Sequence, residues 1–276
     1  MRLRHVRCFT LLLAALWLLS WSPLTLCAGK PLVLCTTTVL ASIVRDLAGG
    51  EVVIATITPP TICPAHYDVK PSDLLKVANA DLIFYHGFEP WVRIISEAVG
   101  AKAPMVKVPG PWNTPSLLSR KYVLVAQALA QYLHLDLNSS LAACLRGIEN
   151  ADKMLKAISR ANGFEGTPVV CALFQRGYLA YLGFECVATY GPPEMVSAKL
   201  YSEVIRNATE SRAFLVVDNL QSGTELGKRI AEEIGGVEVA LTNFPDIRPG
   251  LSNMTDVMVW NANLLTKALR GAEGGS

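Results

Sequence analysis

From Lys30 onward, short apolar runs alternate with longer stretches in which apolar residues recur every three or four positions. The first kind reads as buried parallel strands, the second as helices with one buried face. Pro31–Cys35 is predicted as the first strand. Val39–Leu47 follows as a helix, with Val39, Leu40, Ile43, Val44 and Leu47 in helical period and Gly49-Gly50 as its stop. Strands are predicted over Glu51–Thr58, Asp81–Tyr85 and Pro104–Val108, and helices over Pro71–Ala78, Glu89–Val99 and Leu117–Leu133. Pro71 and Asp73 suit a helix start, because proline lacks the amide hydrogen that goes unbonded there and a carboxylate favours the positive end of the dipole. Pro59–Lys70, with Pro59, Pro60 and Pro64, is a loop.

A long helical stretch follows, Asn138 to Asn162, with Asn138-Ser139-Ser140 offered as its N-cap and Gly163 and Gly166 closing it. The alternation then restarts. Strands are predicted at Thr167–Ala172, Glu185–Thr189, Ala213–Val217 and Val237–Leu241, and helices at Arg176–Leu182, Ser197–Ala208, Thr224–Ile234 and Thr255–Leu269. Gly271–Ser276 is read as a disordered tail. The fold class is therefore α/β, with two Rossmann-like lobes of parallel sheet joined by one long α-helix. The N-terminal lobe takes residues 29–136, the connecting helix 137–162 and the C-terminal lobe 163–276. Ligands of open α/β sheets sit beyond the carboxyl ends of the strands, so the cleft between the lobes is the expected site. A two-domain enzyme and a transport receptor share this layout.

Residues 1–28 are set aside from the fold. Arg2, Arg4 and Arg7 precede an apolar run of about 11 residues, too short for a spanning helix of roughly 20, and Ser20–Gly29 follows. That order is the one of a secretory signal, with an uncleaved anchor as the alternative. Leu24-Thr25-Leu26-Cys27 resembles a lipobox, with Leu26 where a small residue is usual. Lipidation of Cys27 and ordinary cleavage near Ala28 or Gly29 both stand open. Removing residues 1–28 takes away three arginines and no acid, so the formal charge falls from +2 to −1. A near-neutral chain has no basic field for nucleic acid. The five cysteines after the signal, Cys35, Cys63, Cys144, Cys171 and Cys186, are odd in number and irregular in spacing, which is no disulfide framework.

Two segments carry a family resemblance. Residues 63–73 read Cys-Pro-Ala-His-Tyr-Asp-Val-Lys-Pro-Ser-Asp, and residues 80–91 read Ala-Asp-Leu-Ile-Phe-Tyr-His-Gly-Phe-Glu-Pro-Trp. Together they resemble the zinc- and manganese-type solute-binding proteins of ABC importers, and the likeness extends more weakly along the chain to Met254–Leu269. The resemblance implies an exported, non-enzymatic receptor, periplasmic or anchored outside the cytoplasmic membrane. It would act as a monomer with a membrane permease and a cytoplasmic ATPase. A divalent or transition metal ion is its cargo, and no organic cofactor is implied.

The family's ligands are three histidines and a carboxylate, with Glu sometimes replacing a histidine. Only His66 carries over. Pro111-Trp112-Asn113 stands where the second histidine is expected, Cys171 to Gln175 where the third is, and Thr242-Asn243-Phe244 at the closing aspartate. His86, at the end of a strand, is read as packed, and His134 as a helix C-cap. One histidine cannot hold a bare ion, since such sites need several N, S or O donors. Three completions remain open. His66 with Cys63 or Cys171 would make a thiolate set. Asp218, at the end of its strand, would add an oxygen or else cap a helix. The third completion is a metal chelate or small organic solute, packed against Tyr67, Trp91, Trp112 and Tyr190 and hydrogen-bonded by Asn113, Gln175, Asn219, Gln221 and Asn243. Thr36-Thr37-Thr38 reads as a helix cap before an anion site. An exported enzyme is disfavoured by the lack of a nucleophile elbow or a His-Glu-x-x-His zinc motif. A surface adhesin is the other rival.

Overall fold

The computed structural model describes residues 29–98, 100 and 102–273; the expectations for the signal segment, for Cys27 and for residues 274–276 lie outside them. From Pro31 onward the described residues form one compact unit. Its first sheet contains β1 (Leu32–Cys35), β2 (Val53–Thr56), β3 (Leu82–Tyr85) and β4 (Met105–Lys107) in the order β2-β1-β3-β4, all parallel. The second contains β5 (Pro168–Ala172), β6 (Glu185–Tyr190), β7 (Leu215–Asn219) and β8 (Val237–Leu241) in the order β6-β5-β7-β8, again parallel. The two sheets thus repeat one topology.

Helices cover both faces, as parallel strands require. In the first lobe these are α1 (Thr38–Ala48), α2 (Pro71–Asn79), α3 (Trp91–Ala98) and α4 (Pro115–Leu133). The long α5 (Asn138–Ala161) follows, then α6 (Arg176–Leu182), α7 (Ala198–Glu210), α8 (Glu225–Ile234) and α9 (Met254–Glu273). Thr37 caps α1 by accepting from the Leu40 amide, the role read for this threonine run. The N-cap of α5 differs from expectation. Leu137 is the cap residue, and the Asp136 carboxylate accepts from the Asn138 amide instead. At the C-terminus α9 runs on through Glu273, past the point where a disordered tail was expected. Among the described residues no helix is long and apolar enough to cross a membrane.

One hydrophobic core runs through both lobes. It begins with Val33, Leu40 and Phe84 under the first sheet, passes Leu129 of α4 and Leu155 of α5, and reaches Val217, Val257 and Leu265 under the second. Two smaller clusters fill the opposite faces, one around Trp91 and Ile83, the other around Val216 and Ile230. A continuous core is close-packed and resists hinge motion. The two sheets are therefore held in one frame with their carboxyl ends at a common cleft.

Candidate functional site in the interlobe cleft

The cleft has a volume of about 420 Å³, and its walls come from loops that follow strand ends. Cys63, Pro64 and Ala65 follow β2, Phe88 follows β3, and Gly110 to Asn113 follow β4. From the second lobe come Phe174 after β5, Asn219, Gln221 and Ser222 at the end of β7, and Asn243 and Phe244 after β8. This is the position that open parallel sheets give to ligands.

Each wall is locally held. Trp91 donates its indole N–H to the Pro64 carbonyl at 2.8 Å, and the Tyr67 hydroxyl donates to the Asp73 carboxylate at 2.8 Å. The two rings also pack together, so the loop carrying Cys63 is pinned to α2 and α3. Phe88 is set by a buried carboxylate. Glu89 accepts from the Thr36 hydroxyl at 2.6 Å and from the backbone amides of His86 and Gly87 at 3.0 and 2.7 Å. Gly87 has φ of 96°, a left-handed conformation that glycine adopts without strain. His86 is buried, bonded to Thr37 and to the Val108 carbonyl, and stacked on Trp112. Desolvation lowers its pKa to about 4, so the ring is neutral.

The floor is a cluster of amides. The buried Gln175 Nε2 donates to Asn219 Oδ1 at 3.1 Å and Asn243 Oδ1 at 3.3 Å. Asn243 Nδ2 donates to Asn219 Oδ1 at 3.0 Å, and Gln221 accepts from the Asn243 amide. Several bonds cross between lobes. Gln221 donates to the Pro60 carbonyl, Trp112 Nε1 to the Asn243 carbonyl, and Asn113 Nδ2 to the Phe174 carbonyl. Two buried amide oxygens, Asn113 Oδ1 and Gln175 Oε1, have no hydrogen-bond partner.

Of the residues expected as metal ligands, only Cys63 lines the cleft. His66 is largely exposed and faces Glu194 of the second lobe, Nε2 to Oε1 3.5 Å. Cys171 is fully buried against the common core. Hydrogen bonding to Cys186 and desolvation raise its thiol pKa, the opposite of what a thiolate ligand requires. Asp218 lies inside β7, not after it, and accepts from the Tyr190 hydroxyl at 2.6 Å. Burial raises its carboxyl pKa. Among the described residues, no group of three or more His, Cys, Asp or Glu side chains could hold a metal ion. The donor set present does not fit a bare ion.

Of the residues expected to meet an organic cargo, Trp112, Asn113, Asn219, Gln221 and Asn243 line the cleft, and Gln175 braces Asn219 and Asn243 from behind. Tyr67, Trp91 and Tyr190 do not line it; they bond to Asp73, Pro64 and Asp218 instead. Sequence reasoning missed Phe88, Phe174, Phe244 and Ser222 as lining residues. Their common signal is position just beyond a predicted strand end.

Residues 33–116 match the family model described as "Zinc-uptake complex component A periplasmic". This stretch contains both segments that carry the resemblance. The metal ABC transporter substrate-binding lipoprotein FimA of Streptococcus parasanguinis is 38% identical over 60 residues, 22% of this chain and 19% of that protein. The manganese ABC transporter substrate-binding lipoprotein PsaA of Streptococcus pneumoniae is likewise 38% identical over 60 residues, with the same 22% and 19% coverage. The chain thus matches about a fifth of the length of these curated relatives. Likeness of fold reaches further. The periplasmic zinc-binding protein TroA from Treponema pallidum superposes with a TM-score of 0.73 at 18% identity, over 87% of this chain and 99% of that one. The fold is that of the zinc- and manganese-type receptors, two parallel-sheet α/β lobes.

Proposed function

We propose that this chain is the extracytoplasmic substrate-binding protein of an ABC importer of the metal-ion type. It captures cargo between its lobes and presents it to a membrane permease driven by a cytoplasmic ATPase. It works outside the cytoplasmic membrane and is a receptor, not an enzyme. The observation that carries this reading is the cleft itself, walled by segments that all follow strand ends of two like sheets.

Capture needs only differential affinity for the form the permease reads. The bonds that cross the cleft, Gln221 to Pro60 and Trp112 to Asn243, mark where a bound molecule would favour that form. The shared core limits the movement to small local changes. Zinc or manganese is the cargo that the relatives' names give, and it enters here as the first reading of what is carried. Of His66, Cys63, Cys171 and Asp218, only Cys63 lines the cleft, which favours an ion arriving inside a chelate.

The test begins with the protein isolated from outside the membrane of its own cells, without chelator. Native mass spectrometry and elemental analysis identify what it carries, and uptake of that cargo is compared in cells with and without the chain. A one-to-one cargo whose uptake stops when the chain is deleted supports the receptor. An empty protein whose loss leaves uptake of metals and solutes unchanged overturns it.

A further inference from the structure

We infer that the cleft takes an uncharged organic molecule with a flat apolar body and at least one hydrogen-bond donor, free or wrapped around a metal ion, in place of a bare ion. This rests on the receptor reading and names its substrate class.

Four observations converge. The first is size. A cavity of about 420 Å³ falls in the range of small-molecule pockets, roughly 300–1,000 Å³, and far exceeds what an ion needs. The second is the walls. Trp112 and Phe244 form packed surfaces, their centroids 5.9 Å apart, while Phe88 and Phe174 are 44% and 48% exposed. One exposed ring comes from each lobe, after β3 and after β5. Large aromatics left to water at a cleft form an apolar surface that a flat ligand would cover.

The third observation is charge. No residue lining the cleft carries a formal charge. Asp218, one position before Asn219, is bonded to Tyr190, and His66 pairs with Glu194. A divalent ion brought into such a lining loses its water shell with no counter-charge to offset the loss. A charged organic ligand meets the same penalty.

The fourth is an unpartnered acceptor on a lining residue. Asn113 lines the cleft, is only 8% exposed, and its Oδ1 lacks a partner. Its Nδ2 is already committed to the Phe174 carbonyl at 3.2 Å. A buried acceptor without a donor is the mark of a missing partner. A ligand N–H or O–H supplies it. The amides around Gln175 are bonded to one another and so preorganised, which lowers the entropy lost on binding. Two free amide oxygens, Asn113 Oδ1 and Gln175 Oε1, are too few for the four or more ligands that zinc or the alkaline-earth ions take.

The probe is N-phenyl-1-naphthylamine, which is uncharged, aromatic and bears one N–H. The full exported protein is titrated with it by fluorescence, and separately with zinc(II) and manganese(II) by calorimetry. Saturable one-to-one probe binding is expected, with no stoichiometric uptake of either metal. Phe88→Ala combined with Phe174→Ala, both at exposed positions, weakens the probe at least tenfold and leaves the thermal midpoint within a few degrees. Asn113→Leu weakens it as well. Native mass spectrometry of protein from its own cells then separates the two sources. An organic mass without metal is the free solute, and an organic mass with stoichiometric metal is the chelate. Stoichiometric zinc or manganese binding to the empty protein, no probe binding, or probe binding unchanged by the double substitution would each overturn the inference. Metal binding would leave the receptor reading intact, because that reading stands or falls on uptake.

Discussion

The imidazole of His86 lies against the indole of Trp112, centroids 4.2 Å apart and planes 23° from parallel. A residue at the end of β3 therefore sets the attitude of a ring that walls the cleft after β4. The contact depends on a neutral imidazole in a dry place. Desolvation lowers the His86 pKa to about 4, against the opposing pull of the Glu89 carboxylate and with a small contribution from Lys121.

The sign of the pH effect follows. Below pH 6.5 the unfolded chain takes up a proton at His86 that the folded chain refuses until about pH 4, so stability falls as pH drops through that window. At pH 5 the loss is about 2 kcal/mol, and it is absent at pH 7.5. Urea midpoints at the two pH values measure it. His86→Asn should flatten the difference between them. An unchanged pH slope in that variant would show that other groups set it.

The amide floor makes a second prediction. Gln175 is fully buried and its one amide nitrogen serves both Asn219 Oδ1 and Asn243 Oδ1. Gln175→Ala removes that donor and leaves a small cavity, at a cost of about 2–3 kcal/mol. The same substitution should weaken cargo, since Asn219 and Asn243 lose their brace. Stability and cargo affinity are read on one preparation by denaturation and native mass spectrometry. Loss of stability with affinity unaltered would place the amides outside recognition.

How these positions appear from sequence alone depends on strand ends. The repeated strand–helix alternation is legible because a strand buried on both faces is a short apolar run, and each helix carries its own stop. From that, the cleft's location follows. The side on which each residue points does not. β7 ends at Asn219, two residues beyond the expected end at Val217. Neighbouring side chains in a strand point to opposite faces, so Asn219 reaches the cleft while Asp218 turns to Tyr190. Cys171 is turned from the cleft for a similar reason, facing the core under the sheet. Phe88 and Phe174 are placed by the Glu89 network and a single 3₁₀ turn, which apolar periodicity cannot register.

We propose that Asp218 is a structural carboxylate, which is testable against a ligand role. It sits between Tyr190 and the backbone of α8, where Gly227 leaves room for it. A methyl group at Gly227 would come within 2.6 Å of the Tyr190 hydroxyl and closer still to the carboxylate. Gly227→Ala should therefore destabilise by about 2 kcal/mol through overpacking. Asp218→Ala should cost a similar amount, about 2 kcal/mol, by stranding the buried Tyr190 hydroxyl. Neither should change cargo occupancy measured on the folded protein. A fall in bound metal with Asp218→Ala, stability being equal, would restore the ligand role.

Cys63 offers a direct readout of the cleft. It is half-buried and lines the cavity, whereas Cys35 and Cys171 are fully buried. Burial raises the Cys35 thiol pKa, and the bond to Cys186 together with burial raises that of Cys171, so neither presents a reactive thiolate. Cys186 is the exception beyond the cleft. The neighbouring Cys171 thiol lowers its pKa, and it is only half-buried. Maleimide labelling of the folded protein followed by peptide mapping should mark Cys63 and spare Cys35 and Cys171. With cargo bound, Cys63 labelling should slow at least tenfold while Cys186 labelling stays constant, because only Cys63 lies at the cavity. Equal slowing at both cysteines would indicate global tightening instead of occupancy. No slowing at Cys63 would place the cargo somewhere other than between the lobes.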